Sequence, residues 1–308
     1  MTVDSVHRAG VPAAASDPVG DERTSRRALG ERIFPDSARA AFAAAYPDHS
    51  IKLHHGIAGH SLLTLDALAL LAERMPASSV EYNLGGLPLG VRPEDTPANG
   101  LTLGETIRTI ETNGSWAVLK NVERDAAYGA LLECALAELE PLAARRTGPM
   151  LHREAFIFLS SPGSVTPFHM DPEHNILLQI MGRKTMTVFP AGDTELVPAR
   201  ASESFHAGGH RNLDWEERFR HRGAPVTLDP GDAILVPVKA PHFVENGPAV
   251  SVSLSVTWRS ERSVAEGELH GLNTVLRRRG LRLAKIGARP ETQYVHRLMA
   301  RVMRKLGV

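Results

Sequence analysis

The sequence predicts a mainly β fold, an antiparallel sandwich or barrel with helices added at its N- and C-terminal ends. From residue 154 to residue 258, apolar residues recur at every second position, which is the period of a half-buried strand. Turn sequences containing Gly and Pro interrupt this pattern repeatedly. The segments on both sides have the periodicity of helices instead. Many short strands joined by such turns are typical of antiparallel sandwiches and barrels.

Eight strands are predicted in this region, and one polar segment interrupts them. The strands span residues 154–160, 165–171, 175–181, 184–190, 225–229, 233–238, 242–246 and 249–258. A barrel domain is therefore expected over residues 151–260, with an insertion at 191–224. The insertion is rich in His, Arg and Glu. It forms either a solvated loop or a lid over a substrate site, because long loops in compact domains are often functional.

The N-terminal half is predicted to be helical and to pack on the barrel. Residues 1–30 are rich in Ala, Gly, Pro, Asp and Arg without periodicity, which predicts a flexible arm. Residues 31–150 form the expected helical region, with one short strand in the sequence SWAVLKNV. Its helices are expected at about 36–46, 61–74, 103–113 and 125–144.

The C-terminal segment, residues 261–308, is helical in pattern and strongly basic. Residues 271–308 hold ten Lys and Arg against one acidic residue, although the whole chain balances 35 basic with 35 acidic residues. Leu, Val and Met between the arginines predict amphipathic helices in RRRGLRLAKIGAR and HRLMARVMRKLG. Packing on the barrel or on a second subunit is the preferred interpretation, and it predicts a homodimer through the terminal helices. Binding of nucleic acid, of an acidic protein or of a membrane surface are the alternatives, although no stacking aromatic residues accompany the arginines.

The composition excludes several classes of protein. A single cysteine, Cys134, leaves no internal disulfide and no Cys-rich zinc site, and its helical context predicts a core or half-buried position. No apolar run is long enough to span a bilayer, and the first thirty residues lack the apolar stretch of a secretory signal. A cytoplasmic protein without a membrane span is expected.

Three side chains on the predicted strands have the chemistry of a metal site. His169 and Asp171 are two residues apart on one strand, so they point to the same face. An imidazole and a carboxylate are two ligands of a divalent first-row metal, and a third from a distant strand completes a facial triad with open positions. His242, at the start of a later strand, is well placed to be that third ligand. His174 has the opposite parity and is expected to point away from the metal.

A hairpin is predicted next to this pair of residues. Gly182-Arg183 resembles a two-residue turn that pairs Met181 with Lys184 and continues along both strands. One face of the hairpin then carries Asn175, Gln179 and Lys184 among Leu, Met and Val residues. A few polar groups converging among apolar ones are typical of the lining of a ligand cavity. A buried ammonium needs a partner, which the carboxylate of an anionic ligand would provide.

These residues resemble a known family over residues 150–258, about a third of the chain. The pattern T-P-x-H-x-D-x3-N-x3-Q-x2-G-x-K, followed by P-G-D-x4-P-x4-H, is similar to the JmjC branch of the cupin superfamily. That branch contains iron(II)- and 2-oxoglutarate-dependent oxygenases, and the pattern is most similar to asparaginyl hydroxylases and bacterial cupin-like hydroxylases. The resemblance implies a double-stranded β-helix, also called a jelly-roll or cupin barrel. It also implies that His169, Asp171 and His242 are the iron ligands.

The resemblance further implies how the co-substrate is held. Lys184 and Thr166 would contact the distal carboxylate of 2-oxoglutarate, and Asn175 would lie near the carboxylate that chelates the metal. The last strand, SVSLSVTW, lacks an asparagine that some relatives have there. The resemblance implies that Ser253 or Ser255 takes its place.

The implied activity uses Fe(II), 2-oxoglutarate and O2 to hydroxylate an unactivated C–H bond, with release of succinate and CO2. The implied substrate is a protein side chain or a small metabolite. Two other functions remain open from the residues alone: a cupin-type sensor or regulatory binding protein without catalysis, and a metal-dependent cupin isomerase that does not use oxygen.

Overall fold

Two antiparallel sheets form the centre of the computed structural model, which describes residues 32–287 and 289–306. The predicted flexible arm at residues 1–30 lies outside the described residues. The strands are β1 Ile51–His54, β2 Val80–Leu84, β3 Ser115–Lys120, β4 Leu151–Ser160, β5 Val165–His169, β6 His174–Met181, β7 Lys184–Val188, β8 Ala224–Leu228, β9 Asp232–Val236, β10 His242–Asn246 and β11 Ser251–Arg259. The larger sheet has the order β1-β9-β6-β11-β4-β3-β2, and the smaller has the order β5-β10-β7-β8. The predicted fold class, mainly β with added helices, is confirmed.

The helices flank these sheets at both ends of the chain. They are α1 Asp36–Ala45, α2 Leu65–Arg74, α3 Leu103–Arg108, α4 Ala126–Thr147, α5 Ala199–His206, α6 Glu261–Arg278 and α7 Tyr294–Lys305. The helix predicted at 61–74 begins as a 3-10 turn, and α2 starts after Thr64, whose side chain accepts a hydrogen bond from the N–H of Ala67. A capping box formed by Thr102 and Glu105 starts α3, which ends at Arg108 and not at residue 113.

The outer face of the larger sheet is covered by the N-terminal helices. Phe42 of α1, Leu68 of α2 and Leu132 of α4 are buried in one apolar cluster with side chains of β4, β6 and β11. The segment 32–150 is not only helical, because β1, β2 and β3 complete the larger sheet at its two edges. Its short strands bury their backbone hydrogen bonds in the sheet, while its helices supply the apolar cover.

The space between the two sheets is the barrel interior. A second apolar cluster fills one part of it, with Leu177 from β6, Met186 and Val188 from β7, and Val244 from β10. Ile176 and its neighbours of the same parity belong instead to the cluster under the helices. Because side chains of a strand alternate between its two faces, β6 contributes to both clusters and is buried along almost its whole length.

The predicted hairpin at Gly182-Arg183 is wrong in its pairing. β6 pairs with β9 and β11 in the larger sheet, whereas β7 pairs with β8 and β10 in the smaller one. The turn therefore carries the chain from one sheet to the other. Gly182 has φ +69°, and a Cβ there would lie 2.1 Å from the carbonyl oxygen of Val250, so the crossing needs glycine. Lys184 still points into the interior, because both sheets turn one face to the same space.

The insertion at 191–224 packs on the smaller sheet through aromatic side chains. Trp215 lies 5.2 Å from Phe168 and 5.3 Å from Phe243, measured between ring centroids, and 6.0 Å from Phe189. Its residues 211–213 hydrogen-bond to β5: the N–H of Leu213 donates to the carbonyl of Phe168 at 2.9 Å. The insertion also contains α5 and a 3-10 turn at Glu217–Arg222. It is thus an ordered cover over the end of β5 and not a purely solvated loop.

Two sequence expectations, one about Cys134 and one about the basic C-terminal segment, can be compared with the structure. Cys134 is exposed on α4, so its predicted core or half-buried position is wrong, because the apolar face of α4 is formed by other positions. Of the described residues of the basic segment 277–289, only Arg277 and Arg278 lie in a helix, whereas α7 covers the second basic segment as far as Lys305. Among the residues described, no helix is both long and apolar enough to cross a membrane.

Candidate metal centre

Two neighbouring strands of the smaller sheet bring the predicted ligands together. β5 and β10 run antiparallel, and His169 lies directly opposite His242 in their register. Asp171 follows β5 two residues after His169, and its backbone carbonyl accepts a hydrogen bond from the N–H of Lys239 at 2.7 Å. That bond ties the chain after β5 to the turn before β10. The three side chains therefore meet because β5 ends and β10 begins at the same point of the barrel.

The distances between the side-chain atoms suit a shared ion. One ligand atom from each of His169, Asp171 and His242 lies within 4.8 Å of the other two. The Nε2 atom of His242 is 3.7 Å and that of His169 is 4.0 Å from Oδ2 of Asp171. The side chains of these three residues are between 3 and 12% exposed. Among the residues described, this is the group of His, Cys, Asp and Glu that could hold a metal ion.

Both histidines are oriented by hydrogen bonds from their other ring nitrogen. Nδ1 of His169 lies 2.7 Å from the carbonyl oxygen of Pro167, and Nδ1 of His242 lies 2.9 Å from that of Ala240. A carbonyl only accepts, so each Nδ1 donates and each Nε2 keeps its lone pair. Burial, and then the neighbouring His242, lower the pKa of His169 to about 3, which keeps this imidazole neutral. A neutral Nε2 is the form in which histidine binds a metal.

Asp171 has a positively charged partner that the sequence alone did not indicate. Nη1 of Arg211, from the insertion, donates to Oδ1 of Asp171 at 2.5 Å. Burial would raise the pKa of Asp171, but Arg211 and the two imidazoles lower it to about 2. The carboxylate is therefore ionised, with Oδ1 held by arginine and Oδ2 facing the two histidines. Such a partner fixes the orientation of a ligating carboxylate.

Lys184 lies in the barrel interior without a partner. It is the first residue of β7, is 3% exposed, and pairs in register with Asn246 of β10. Within the described part of the chain, its ammonium has no hydrogen-bond acceptor and no carboxylate within 4.0 Å. Burial lowers the pKa of Lys184 to about 7. The side-chain oxygen Oδ1 of Asn246 is likewise buried without a partner. An unpaired ammonium in this position is costly unless an anion joins it.

The other predicted site residues divide into two groups. Thr166 lies on β5 in register with Val244, in the row of side chains that faces the interior, and Asn175 lies on β6 near Asp171. Oγ of Ser255 donates to Oδ1 of Asn175 at 2.7 Å, so this serine orients the amide. Gln179 does not serve the cavity. All of its side-chain hydrogen bonds go to its own turn and to β11.

His174 lies on the outer side of the sheet, away from the ligands. Its ring is 4.9 Å from that of Tyr46 and 5.5 Å from that of Trp258, between centroids. The parity argument from the sequence therefore placed it correctly.

Arg211 and Asn246 are the site residues that the sequence did not reveal. Arg211 lies in a segment without periodicity, 40 residues after its partner Asp171. Asn246 could have been found by parity, because it lies on the same face of β10 as Val244, four residues after His242.

Sequence comparison gives a family for more than half of the chain. The profile of the family described as cupin-like domain matches residues 99–263. Lysine-specific demethylase 8 of Xenopus tropicalis is 30% identical over 102 residues, which cover 31% of this chain and 22% of that protein. Jumonji C domain-containing protein 5 of Drosophila melanogaster is 33% identical over 108 residues, covering 33% of this chain and 26% of that protein. The matched segments thus span about a quarter or less of these relatives.

One similar solved structure is that of an oxygenase. It is the ribosomal oxygenase YcfD from Escherichia coli in complex with cobalt and 2-oxoglutarate, which is 17% identical, with a TM-score of 0.47 over 89% of this chain and 68% of that chain. The profile match and the JmjC relative confirm the resemblance to the JmjC branch of the cupins.

Proposed function

The chain belongs to the cupin-like domain family, and from this membership and its metal centre we propose that it is an Fe(II)- and 2-oxoglutarate-dependent oxygenase. One observation carries the proposal: Nε2 of His169, Nε2 of His242 and a carboxylate oxygen of Asp171 converge at the end of the barrel. Two imidazoles and one carboxylate are the donor set of the facial triad that binds non-heme Fe(II).

The residues present fit this metal. Both imidazoles are held by carbonyls in the form that leaves Nε2 free, and Arg211 occupies the carboxylate oxygen that faces away from the histidines. His169, Asp171 and His242 would hold Fe(II) with positions left for a co-substrate and for O2, and the metal would supply the oxidation of an unactivated C–H bond with release of succinate and CO2.

The residues around Lys184 would bind the co-substrate. The distal carboxylate of 2-oxoglutarate would pair with the ammonium of Lys184 through a charge-assisted hydrogen bond in the barrel interior. Thr166 lies two strands away on the same inner face and would donate its hydroxyl to that carboxylate. Asn175, held by Ser255, would orient the chelating end. 2-Oxoglutarate has a carboxylate at each end. One would pair with the ammonium of Lys184, and the other would bind the metal ion proposed at the triad.

The proposed reaction is hydroxylation of a protein side chain or of a small metabolite. In the insertion at 191–224, Arg211 contacts Asp171 of the triad and Trp215 packs against Phe243. The insertion would therefore form one side of the entrance for the substrate. A cytoplasmic location, expected from the sequence, stays a prediction.

Anaerobic addition of Fe(II) and 2-oxoglutarate to the purified chain tests the proposal. We expect stoichiometric iron binding, a weak visible absorption band that needs both additions, and one succinate per 2-oxoglutarate consumed after oxygen is admitted. Iron binding without the band or succinate would indicate a metal-dependent isomerase. Binding of 2-oxoglutarate alone, with no iron requirement, would indicate a sensor.

The proposed homodimer would form through the terminal helices. Tyr294, Val295 and Leu298 on one side of α7, and Leu306 just after its end, are each more than 60% exposed. Arg297 and Ala300 on the other side of α7 face α6. Light scattering after gel filtration should give twice the chain mass. The double variant Leu298→Gln/Val302→Gln should give the single mass, and a monomeric parent chain would contradict the proposal.

A further inference from the structure

A second cavity lies apart from the metal centre, between β4, α5 and the two C-terminal helices. Its volume is about 560 Å³, within the range of small-molecule sites, roughly 300–1,000 Å³. None of the residues assigned to the metal or to 2-oxoglutarate lines it. Its wall is half polar and half apolar, so the polar groups and their partners decide what it could hold.

The cavity has an excess of unpaired positive charge at its mouth. Arg278, in the last turn of α6, and Arg304, in the last turn of α7, both line it and are both exposed. Over residues 32–287 and 289–306, no carboxylate lies within 4.0 Å of either guanidinium. The third arginine of the wall, Arg259, pairs with Glu173 at 2.5 Å and is already neutralised.

The acidic residues of the wall offset only part of this charge. Glu268 accepts hydrogen bonds from Arg297 at 2.7 Å and from Arg301 at 2.6 Å, so its charge is balanced by groups outside the cavity. Glu154 keeps its charge, because its partner is the neutral side-chain amide of Asn121 at 3.3 Å. Among the described residues of the wall, two unpaired arginines against one unpaired carboxylate leave the cavity with a net positive charge.

The side of the cavity formed by His206 has a buried, unsatisfied polar atom in its wall and open space beside it. Nε2 of His206 is buried without a hydrogen-bond partner, and the ring stacks on His270 at 5.7 Å. Two glycines one turn apart in α6 lie beside His206. A Cβ on Gly267 would lie 2.9 Å from His206, whereas a Cβ on Gly271 would meet only the carbonyl oxygen of His206, at 3.9 Å. Glycine is unfavourable inside a helix, and here Gly267 admits the imidazole while Gly271 leaves the cavity open.

We propose that this cavity binds an amphiphilic organic anion. Its carboxylate or phosphate group pairs with Arg278 and Arg304 at the mouth, where guanidinium groups bind such anions bidentately. Its apolar body lies against Leu272, Val275 and Met303. This ligand pairs with both arginines at the mouth and covers the apolar wall, whereas a bare inorganic anion leaves the apolar wall unused.

Calorimetric titration of the full chain with phenyl phosphate tests the proposal. We expect one saturable site, with inorganic phosphate and benzyl alcohol each binding at least about 10-fold more weakly, because each has only half of the recognised chemistry. The variant Arg278→Gln/Arg304→Gln should weaken phenyl phosphate at least about 10-fold. The variant Arg279→Gln/Arg282→Gln is the matched control, since it removes two exposed charges of the same segment that do not line the cavity. It should change the affinity less than about 2-fold.

A second pair of variants tests the cavity itself. Gly271→Met should fill the space and abolish binding, whereas Gly271→Ala adds one Cβ that has room and should leave affinity within about 2-fold. Thermal unfolding shows that each variant is folded. The proposal is overturned if no saturable binding occurs, if both arginine pairs have equal effects, or if Gly271→Met still binds. Loss of binding in Lys184→Met would place the ligand in the barrel and overturn it equally.

Discussion

The triad of His169, Asp171 and His242 and the interior surface around Lys184 and Asn246, here called the wall, are two regions of one barrel. They differ in whether their polar groups have partners within the protein. At the triad, Nδ1 of each histidine and one oxygen of Asp171 already have protein partners. At the wall, the ammonium of Lys184 and Oδ1 of Asn246 have none among the described residues. The first region is pre-organised by the protein, while the second depends on a ligand to satisfy it.

This difference has an energetic meaning. Fixed ligands hold a metal because their orientation has been set before it arrives. An unpaired buried ammonium destabilises the empty protein, and an anion that pairs with it recovers that free energy as binding. Substitutions at the triad should therefore remove the metal, whereas substitutions at the wall should weaken the co-substrate and stabilise the empty chain.

The largest effect is expected for the triad. His169→Ala removes one of three ligands and should weaken Fe(II) binding more than about 1,000-fold, leaving no stoichiometric iron after dialysis. His210→Ala, which removes an exposed histidine of the insertion, is the control and should keep its iron. Stoichiometric iron in the His169 variant would contradict the assigned ligand set.

A large effect of another kind is expected at the wall. Lys184→Met should raise the 2-oxoglutarate concentration needed for half-maximal turnover about 100-fold, because a buried carboxylate loses its charged partner. Iron affinity, measured by dialysis, should stay within about 2-fold, since no ligand is lost. Equal losses of iron and 2-oxoglutarate would show that the two regions are not separate.

An intermediate effect is expected for the residue that orients Asp171. Arg211→Gln should weaken iron binding about 10-fold, in the range found for partners of metal ligands. Arg211→Lys keeps the charge but not the forked geometry, and should recover part of the loss. Iron affinity equal to that of the parent chain in both variants would mean that Asp171 is oriented by other contacts.

The smallest effect is expected in the stability of the empty chain, and its sign depends on pH. The pKa of Lys184 is about 7 in the folded chain against an ordinary 10.5, so between these values the unfolded chain binds the extra proton. The stability of the parent chain relative to Lys184→Met should therefore rise with pH. Urea unfolding without 2-oxoglutarate should show the variant more stable by at least about 1 kcal/mol near pH 6. The gain should shrink by about pH 9, and a gain that does not change with pH would contradict a buried charged amine.

Much of the site could be predicted from local pattern. His169 and Asp171 share a face because they are two residues apart on a strand, and Lys184 has interior parity whether or not β6 and β7 pair. His242 was predicted as the third ligand from its position at the start of a later strand. In the structure it lies opposite His169. Arg211 could not be predicted, because the contact joins Asp171 to a loop without periodicity.

The sequence alone determined which side chains belong to the same face of each strand, since alternation is a property of two or three consecutive residues. It therefore indicated the composition of the interior and the candidate ligands. Only the tertiary structure decided which strands are neighbours. β6 has better partners in β9 and β11 than in β7, and this competition between distant segments is invisible in a two-residue turn. The same long-range packing places the insertion beside Asp171 and opens the cavity between α6 and α7, because both depend on segments that meet only after the chain has folded.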